Sequence, residues 1–456
     1  MKVKRPTTFL GTPATAPGPL GPDMLRDFAL IRSNPLAFLE KSWRAYGDVV
    51  QFPIPKPPTY LINSPQGVRQ VLVSNGRNFG KSTIQYQALS LVTGEGLLTA
   101  DTDIWQRTRP LIQPAFHQAL LTELVPITES VTEGLVDQWR KIPRDAVIDV
   151  DQFMLAGALE VVGKFLFGAN LATNSHVITD ATLSALEVVI ARARVPITPP
   201  SWIPTPANRK LQRSVNTLDQ AVRSMLRQRS NETIHLTTDT PNMIDLLARA
   251  TDQHGNKLTA RQIRDEIVTF IVAGHETVAS ALSWAWAVLA ADPALQAELA
   301  LEVDHAQVTG AMAVENLPRI RAFYDEILRV YPPAWLITRK ALASDSIDGH
   351  AIPAGALIIL SPALLHQNPQ VWDAPETFDP ERFLGKYPRE SFIPFGAGLR
   401  QCIGKDFAYV EGVLLLATLI AKFTVRYPEG GQIPQSDPLV TIRPRGGVAL
   451  RVSLRE

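Results

Sequence analysis

The stretch Phe395-Gly396-Ala397-Gly398-Leu399-Arg400-Gln401-Cys402-Ile403-Gly404 holds the only cysteine among 456 residues, and its neighbours look arranged to present the sulfur. Gly396 and Gly398 admit positive φ, so the chain can turn tightly just before Cys402. Arg400 is close enough in sequence to be expected to favour the thiolate. Gly404 would let a flat ligand approach the backbone. An apolar helix over about 407–423 would point its positive end at an anion. A thiolate is a soft ligand suited to iron. Two other readings fit the same residues. One is an inert, buried thiol. The other is a dinucleotide loop, which fails where Gln401 stands in place of the third glycine of G-x-G-x-x-G.

Charge and cysteine usage narrow the class. With 45 basic against 44 acidic residues the net charge is +1, so nothing marks a nucleic-acid binder. A single cysteine makes no internal disulfide and fits a reducing, cytoplasmic setting. The eight histidines are too far apart in sequence for a His-x-x-x-His zinc motif. Lys2, Lys4 and Arg5 resemble a signal n-region, but prolines follow where an apolar h-region would stand. No apolar run long enough for a transmembrane segment is read, and a monomer is expected.

The periodicity predicts mainly α-structure with small β-sheets. Residues 1–23 read as an extended arm and 24–456 as one domain. A helix is expected over 27–46, then a hairpin of 48–54 with 59–62. Ser64-Pro65 opens a short helix. Helical patterns cover 120–166, with a break near 143–151, then 175–194 and 207–229. Between the last two, a proline-rich loop over 196–206 containing Trp202 reads as a lid or a stiff linker. Residues 230–241 read as a polar loop. A long helix runs over 259–291 and another over 317–330. Short strands are expected at 339–341, 346–352 and 357–360. Residues 367–400 are rich in turn formers, and a long irregular stretch in a compact protein usually carries function.

Within the long helix, Ala273-Gly274-His275-Glu276-Thr277 stands out. Gly274 costs about 1 kcal/mol relative to Ala in mid-helix, so close approach of a ligand is one compensation. Glu276 beside Thr277 can pass protons into an apolar site, and the Thr277 hydroxyl is expected to bond the Ala273 carbonyl. A merely solvated helix face is the alternative. Trp105 and Arg109 share a helix face, as a surface cation–π pair would. Glu326 and Arg329 are spaced as an ordinary helix pair.

Taken in order, Trp-x-x-x-Arg (105/109), Ala-Gly-x-Glu-Thr (273–277), Glu-x-x-Arg (326/329), Pro-Glu-Arg-Phe (380–383) and Phe-x-x-Gly-x-Arg-x-Cys-x-Gly (395–404) resemble the cytochrome P-450 family of haem-thiolate monooxygenases. The resemblance runs from about residue 25 to the end. Tyr331-Pro332-Pro333-Ala334-Trp335 is nearest in look to soluble bacterial members related to fatty-acid and polyene hydroxylases. It implies haem b between the long helix and the cysteine loop, with Cys402 as iron ligand and O2 as co-substrate. Phe395, Ala273, Gly274 and Gly404 would lie against the haem. Trp105, Arg109, Arg339 and Arg400 would hold its propionates. Glu326, Arg329 and Arg382 would brace the cysteine loop, and Glu276 and Thr277 would deliver protons. A lipophilic substrate, fatty-acid-like or terpenoid, would meet Tyr86, Leu89, Phe270, Ala334, Trp335, Leu336 and Val440. Lys56 or Tyr86 would anchor a carboxylate. Electrons would come from a separate ferredoxin or flavodoxin with its NAD(P)H reductase, docking near Lys405 and Arg107. Glu276-Thr277 argues against the alternatives, a peroxide-driven relative and a haem-binding sensor or electron carrier.

Overall fold

The computed structural model describes residues 14–455 apart from 55, 117, 144–145, 169–174, 194–198, 201, 233–242, 252–254 and 307–314. The polar loop expected over 230–241 and much of the proline-rich loop therefore lie outside the described residues. So does most of the N-terminal arm. Its described end lies along the first strand, where Gln51 N–H donates to the Pro17 carbonyl at 2.8 Å. The arm stops earlier than expected, because Gly21–Arg26 is helical with Pro22 in its first turn, where a missing N–H costs nothing. The helix expected over 27–46 divides into Phe28–Ser33 and Pro35–Tyr46. Asn34 breaks it, since its side chain accepts the Ala37 N–H at 3.1 Å and so starts a new helix.

Helices dominate, and among the described residues four small sheets flank them. The largest sheet runs Val49–Phe52, Thr59–Ile62, Leu357–Leu360, Ile337–Ala341, Phe79–Gly80 in space. The expected hairpin forms, Val49–Phe52 against Thr59–Ile62, with Val49 opposite Ile62. The strand expected over 346–352 is a tight hairpin instead, Asp345–Ile347 against His350–Ile352. Asp348 and Gly349 supply its turn with φ of 48° and 77°.

The long helix, Ala260–Ala291, is the axis of the molecule. Thr259 accepts from Gln262 N at 3.2 Å while the Gln262 carbonyl oxygen accepts from Thr259 N at 2.8 Å, a reciprocal cap. It ends at Asp292, whose carboxylate caps the next helix at Leu295 N, with Pro293 in that helix's first turn. The central helix is long and apolar enough to cross a membrane, yet 83% of its most apolar window is buried by the protein's own segments. A helix apolar on all sides belongs in a core. Trp284 and Trp286 are fully buried. The Trp284 ring stacks on Tyr331 at 3.9 Å and its N–H donates to the Ile442 carbonyl at 3.0 Å. Each such ring removes roughly 150–250 Å² from water, worth about 4–6 kcal/mol before entropy is counted.

The irregular stretch before the cysteine is held by a buried ion network. Glu326 and Arg329, both on the helix Pro318–Val330, have fully buried side chains. They pair in a fork, Nε to Oε2 at 2.6 Å and Nη2 to Oε1 at 2.8 Å. Arg382 adds a second cation to Glu326 at 3.2 Å. Arg329 then donates to the carbonyls of His366, Pro375 and Thr377 at 2.9–3.0 Å. His366 passes the constraint on: its Nδ1 faces the Arg329 carbonyl at 3.1 Å, and its Nε2 accepts the Ile393 N–H at 3.0 Å. Burial, with the Arg329 charge helping, pushes His366 down to about 3. The ring therefore stays neutral and keeps the lone pair that Ile393 needs.

Two outcomes follow from this network. Glu326→Ala leaves two arginines without their anion, and should lower unfolding free energy by about 3–5 kcal/mol in denaturant titration. In acid, the unfolded chain protonates His366 below about pH 6.5 while the folded chain refuses the proton until about 3. Stability should thus fall with pH through that window, this histidine contributing about 1.4 kcal/mol per unit. His366→Gln should flatten the pH slope by one proton, and an unchanged slope would rule the assignment out.

Candidate active site

Between the central helix and the cysteine loop lies a cavity of about 1420 Å³ not filled by atoms, its open mouth included. Cys402, Phe395, Gly396 and Gly404 form one wall, and Ala273, Gly274 and Thr277 the opposite one. The loop turns as expected: Gly396 and Gly398 have φ of 67° and 68°. A Cβ on Gly398 would lie 1.9 Å from the Leu72 carbonyl oxygen, so the loop closes onto that segment only with glycine there. Cys402 N–H donates to the Phe395 carbonyl at 3.0 Å, and Gly404 caps the helix Lys405–Lys422.

The thiol is open to the cavity but deep in the protein. Burial pushes its pKa up, opposed by the Gly404 N–H and by the charges of Arg109 and Lys81. This corrects the expectation for Arg400. Its guanidinium lies 4.4 Å over the Trp105 ring and donates to the Ala100 carbonyl at 2.7 Å. It is spent on the rim, and the cations that favour the thiolate come from distant segments. The cation–π pairing expected between Trp105 and Arg109 is likewise made by Arg400, while Arg109 donates to the Gln401 carbonyl at 3.0 Å.

Lys81 was missed by sequence reasoning, although it immediately precedes the stretch 82–106 that has neither Lys nor Arg. It lines the cavity, donates to the Leu98 carbonyl at 2.7 Å and lies 4.6 Å over the Tyr86 ring. Burial pushes it well below the usual lysine range, and Arg339 and Arg400 add to the shift. Arg400 is held down to about 10 by burial and by Arg339. Arg339 donates to the Thr338 carbonyl at 2.9 Å and to the Tyr86 hydroxyl at 3.5 Å. Among the described residues none of Lys81, Arg109, Arg339 and Arg400 pairs with a carboxylate. Four cations at the rim of an apolar cavity call for a ligand with anionic groups at one edge.

On the facing helix the Thr277 hydroxyl donates to the Ala273 carbonyl at 2.8 Å, as expected. The helix runs through this turn unbroken. Gly274 has a second reason beside the one expected. A Cβ there would meet Val162 Cγ2 at 2.9 Å, so the glycine serves packing against the helix Val150–Phe167, and its backbone lines the cavity as well. Glu276 is buried and turned away from the cavity, accepting the Thr441 hydroxyl at 3.2 Å. Burial raises its pKa, the Arg443 charge and the Thr441 bond oppose the rise, and Asp151 adds to it. Arg443 is clamped by both oxygens of Asp151 at 2.5 and 2.6 Å. His275 next door is pushed down to about 4 by burial.

Of the substrate contacts expected, Tyr86, Phe270 and Ala334 line the cavity. Leu89, Trp335, Leu336 and Val440 do not; they pack into or against the hydrophobic cores. The Trp335 N–H is turned to the Leu439 carbonyl at 2.9 Å, which points that ring away. Lys56 is exposed at the hairpin and does not reach the cavity. Trp202 is 80% exposed and does not line this cavity.

These residues fit a flat, dianionic prosthetic group. A thiol faces one broad side, small residues face the other, and a cation cluster marks one edge. Among the described residues no three His, Cys, Asp or Glu side chains gather as a metal cage. An iron on Cys402 would take its remaining ligands from that group.

Comparison with known proteins agrees. The cytochrome P450 family model matches residues 20–450. Cyclooctatin synthase of Streptomyces melanosporofaciens is 31% identical over 444 residues, covering 94% of this chain and 94% of its own length. Cyclooctat-9-en-7-ol 5-monooxygenase of the same organism is 32% identical, covering 91% and 90%. Pentalenene oxygenase of Streptomyces avermitilis is 29% identical, covering 90% and 91%. The thiol, the cation rim and the matched length lead to one conclusion: the chain belongs to the cytochrome P450 family and is a cytochrome P450 monooxygenase.

Proposed function

We propose that this enzyme hydroxylates a terpenoid, R–H + O2 + 2 e⁻ + 2 H⁺ → R–OH + H2O, with electrons from a separate ferredoxin or flavodoxin served by an NAD(P)H reductase. The observation that carries the substrate class is the cavity wall. Leu98, Phe116, Val162, Leu166, Phe270 and Val278 give it an apolar lining, and its cations are confined to the rim. A fatty acid would have to compete for rim cations that the cofactor's own carboxylates require. The relatives named for cyclooctat-9-en-7-ol and pentalenene support the same choice.

Haem held by Cys402 supplies the oxygen activation; the thiolate favours O–O cleavage. The chain supplies the rest. Lys81, Arg109, Arg339 and Arg400 would hold the carboxylates, and Phe395 packs against Tyr409 at 5.2 Å behind the sulfur. The apolar wall orients the substrate and excludes water. Thr277 offers a hydroxyl at the cavity surface. Glu276, its pKa raised by burial, would supply protons from behind it. Exposed Arg107 and half-buried Lys405 would offer positive charge to a negatively charged electron carrier.

The reduced, CO-treated protein should show the red-shifted Soret band of thiolate ligation, and Cys402→His should lose both the band and product. A terpene alcohol should perturb the resting spectrum where palmitate does not; the reverse would move the substrate to fatty acids. Thr277→Ala should keep electron consumption while product per electron falls several-fold, with the balance released as hydrogen peroxide. Full coupling in that variant would remove Thr277 from proton delivery.

A further inference from the structure

One cavity wall is a short segment, residues 94–98, between the helices Ile84–Thr93 and Thr102–Ile112. Leu97 and Leu98 from it line the cavity. The segment is hung from the central helix by side chains that the reaction does not use. Arg264 donates to the Val92 carbonyl at 3.1 Å. Asp265 Oδ2 accepts the Glu95 N–H at 3.1 Å, and Glu266 Oε2 accepts the Leu97 N–H at 3.0 Å. Arg264 is fixed in turn by Asp219 at 2.7 Å and Asp265 at 3.0 Å. Asp265 and Glu266 are only 5% and 2% exposed, so these contacts were bought by burying two acids.

The segment's own sequence is matched to this attachment. Gly94 has φ +65°, and a Cβ there would lie 2.1 Å from the Asp265 carboxyl carbon. A Cβ on Gly96 would lie 2.1 Å from Thr269 Oγ1. At its other end the segment meets the cofactor rim, where Lys81 takes the Leu98 carbonyl and Arg400 the Ala100 carbonyl.

We propose that Glu266, supported by Asp265, is a specificity-determining positioning residue: through Leu97 N–H it pins Leu97 and Leu98 to the central helix and sets the room left for substrate. This deepens the hydroxylase reading and rests on it for what the cavity holds. Burial pushes the Glu266 carboxyl up to about 8, so near neutral pH the acceptor is a largely uncharged acid. Gln reproduces its shape and its carbonyl acceptor, whereas Leu keeps the volume and offers no acceptor.

The test uses the haem-loaded full chain. Amide hydrogen exchange over 94–98 is compared in wild type, Glu266→Gln and Glu266→Leu. Dissociation constants of imidazole and 4-phenylimidazole are read by optical titration. In Glu266→Leu, exchange at Leu97 should quicken roughly tenfold, the worth of one buried hydrogen bond. The ratio of the two azole constants should move several-fold, and Glu266→Gln should keep both readouts at wild type. Unchanged exchange in Glu266→Leu, or faster exchange with an unmoved ratio, overturns the proposal. Should Glu266→Leu fail to fold, Gly96→Ala pushes the same segment off Thr269; an unmoved ratio there overturns it as well. Azole binding consumes neither oxygen nor electrons, so absent turnover would sink the hydroxylase reading while leaving this result standing.

Discussion

The buried fork between Glu326 and Arg329 is the contact on which the active-site wall depends. Neither side chain has any solvent to fall back on. An isolated charge at that depth is far more costly than the pair, so the two must fold together or not at all. What they organise is backbone. Arg329 gathers three carbonyls from an otherwise irregular stretch, and Asp379 N–H donates to Glu326 at 2.7 Å. His366 carries the order to Ile393, Gly396 N–H bonds the Ile393 carbonyl at 2.9 Å, and Cys402 N–H bonds the Phe395 carbonyl at 3.0 Å. The sulfur's position is thus the end of a hydrogen-bond relay that starts on a different helix. A loop with almost no regular structure is held because these carbonyl and N–H groups find partners.

The opposite wall is rigid for another reason. The central helix is buried along its length and packs closely on Val150–Phe167, with Gly274 receiving Val162. One wall is therefore fixed by polar bonds and the other by apolar packing. The segment 94–98 bridges the two, tied by N–H groups to the helix and by carbonyls to the cation rim.

How much of this was legible depended on sequence distance. Thr277 bonding Ala273, the positive φ of Gly396 and Gly398, and the Ser64 cap are local, and the residues themselves announced them. Glu326 and Arg329 were visible as a helix pair, but a surface pair and a buried fork have the same spacing; only the resemblance separated them. Arg400 was misread because closeness in sequence was taken for closeness to the sulfur, whereas a turn at Gln401 sends it to Trp105. Lys81, His366, Thr441, Asp265 and Glu266 make contacts 17 to 170 residues away in sequence, and no spacing rule reaches them. Leu89, Trp335, Leu336 and Val440 show the limit for apolar residues: alternation and periodicity mark burial, not which buried face borders a cavity.

The acid–alcohol pair shows the same lesson in its chemistry. Thr277 lines the cavity together with its neighbour Val278, whereas Glu276, on the other side of Thr277, turns to the Thr441 hydroxyl. The carboxyl lies among Thr441, Arg443 and Asp151, brought from two other places in the chain. Burial raises its pKa most, Arg443 and the Thr441 bond oppose the rise, and Asp151, which takes Arg443 in two short bonds, adds to it. With Glu276 turned to Thr441, the polar side chain that this pair shows to the cavity is the Thr277 hydroxyl, and the apolar wall carries no carboxylate there.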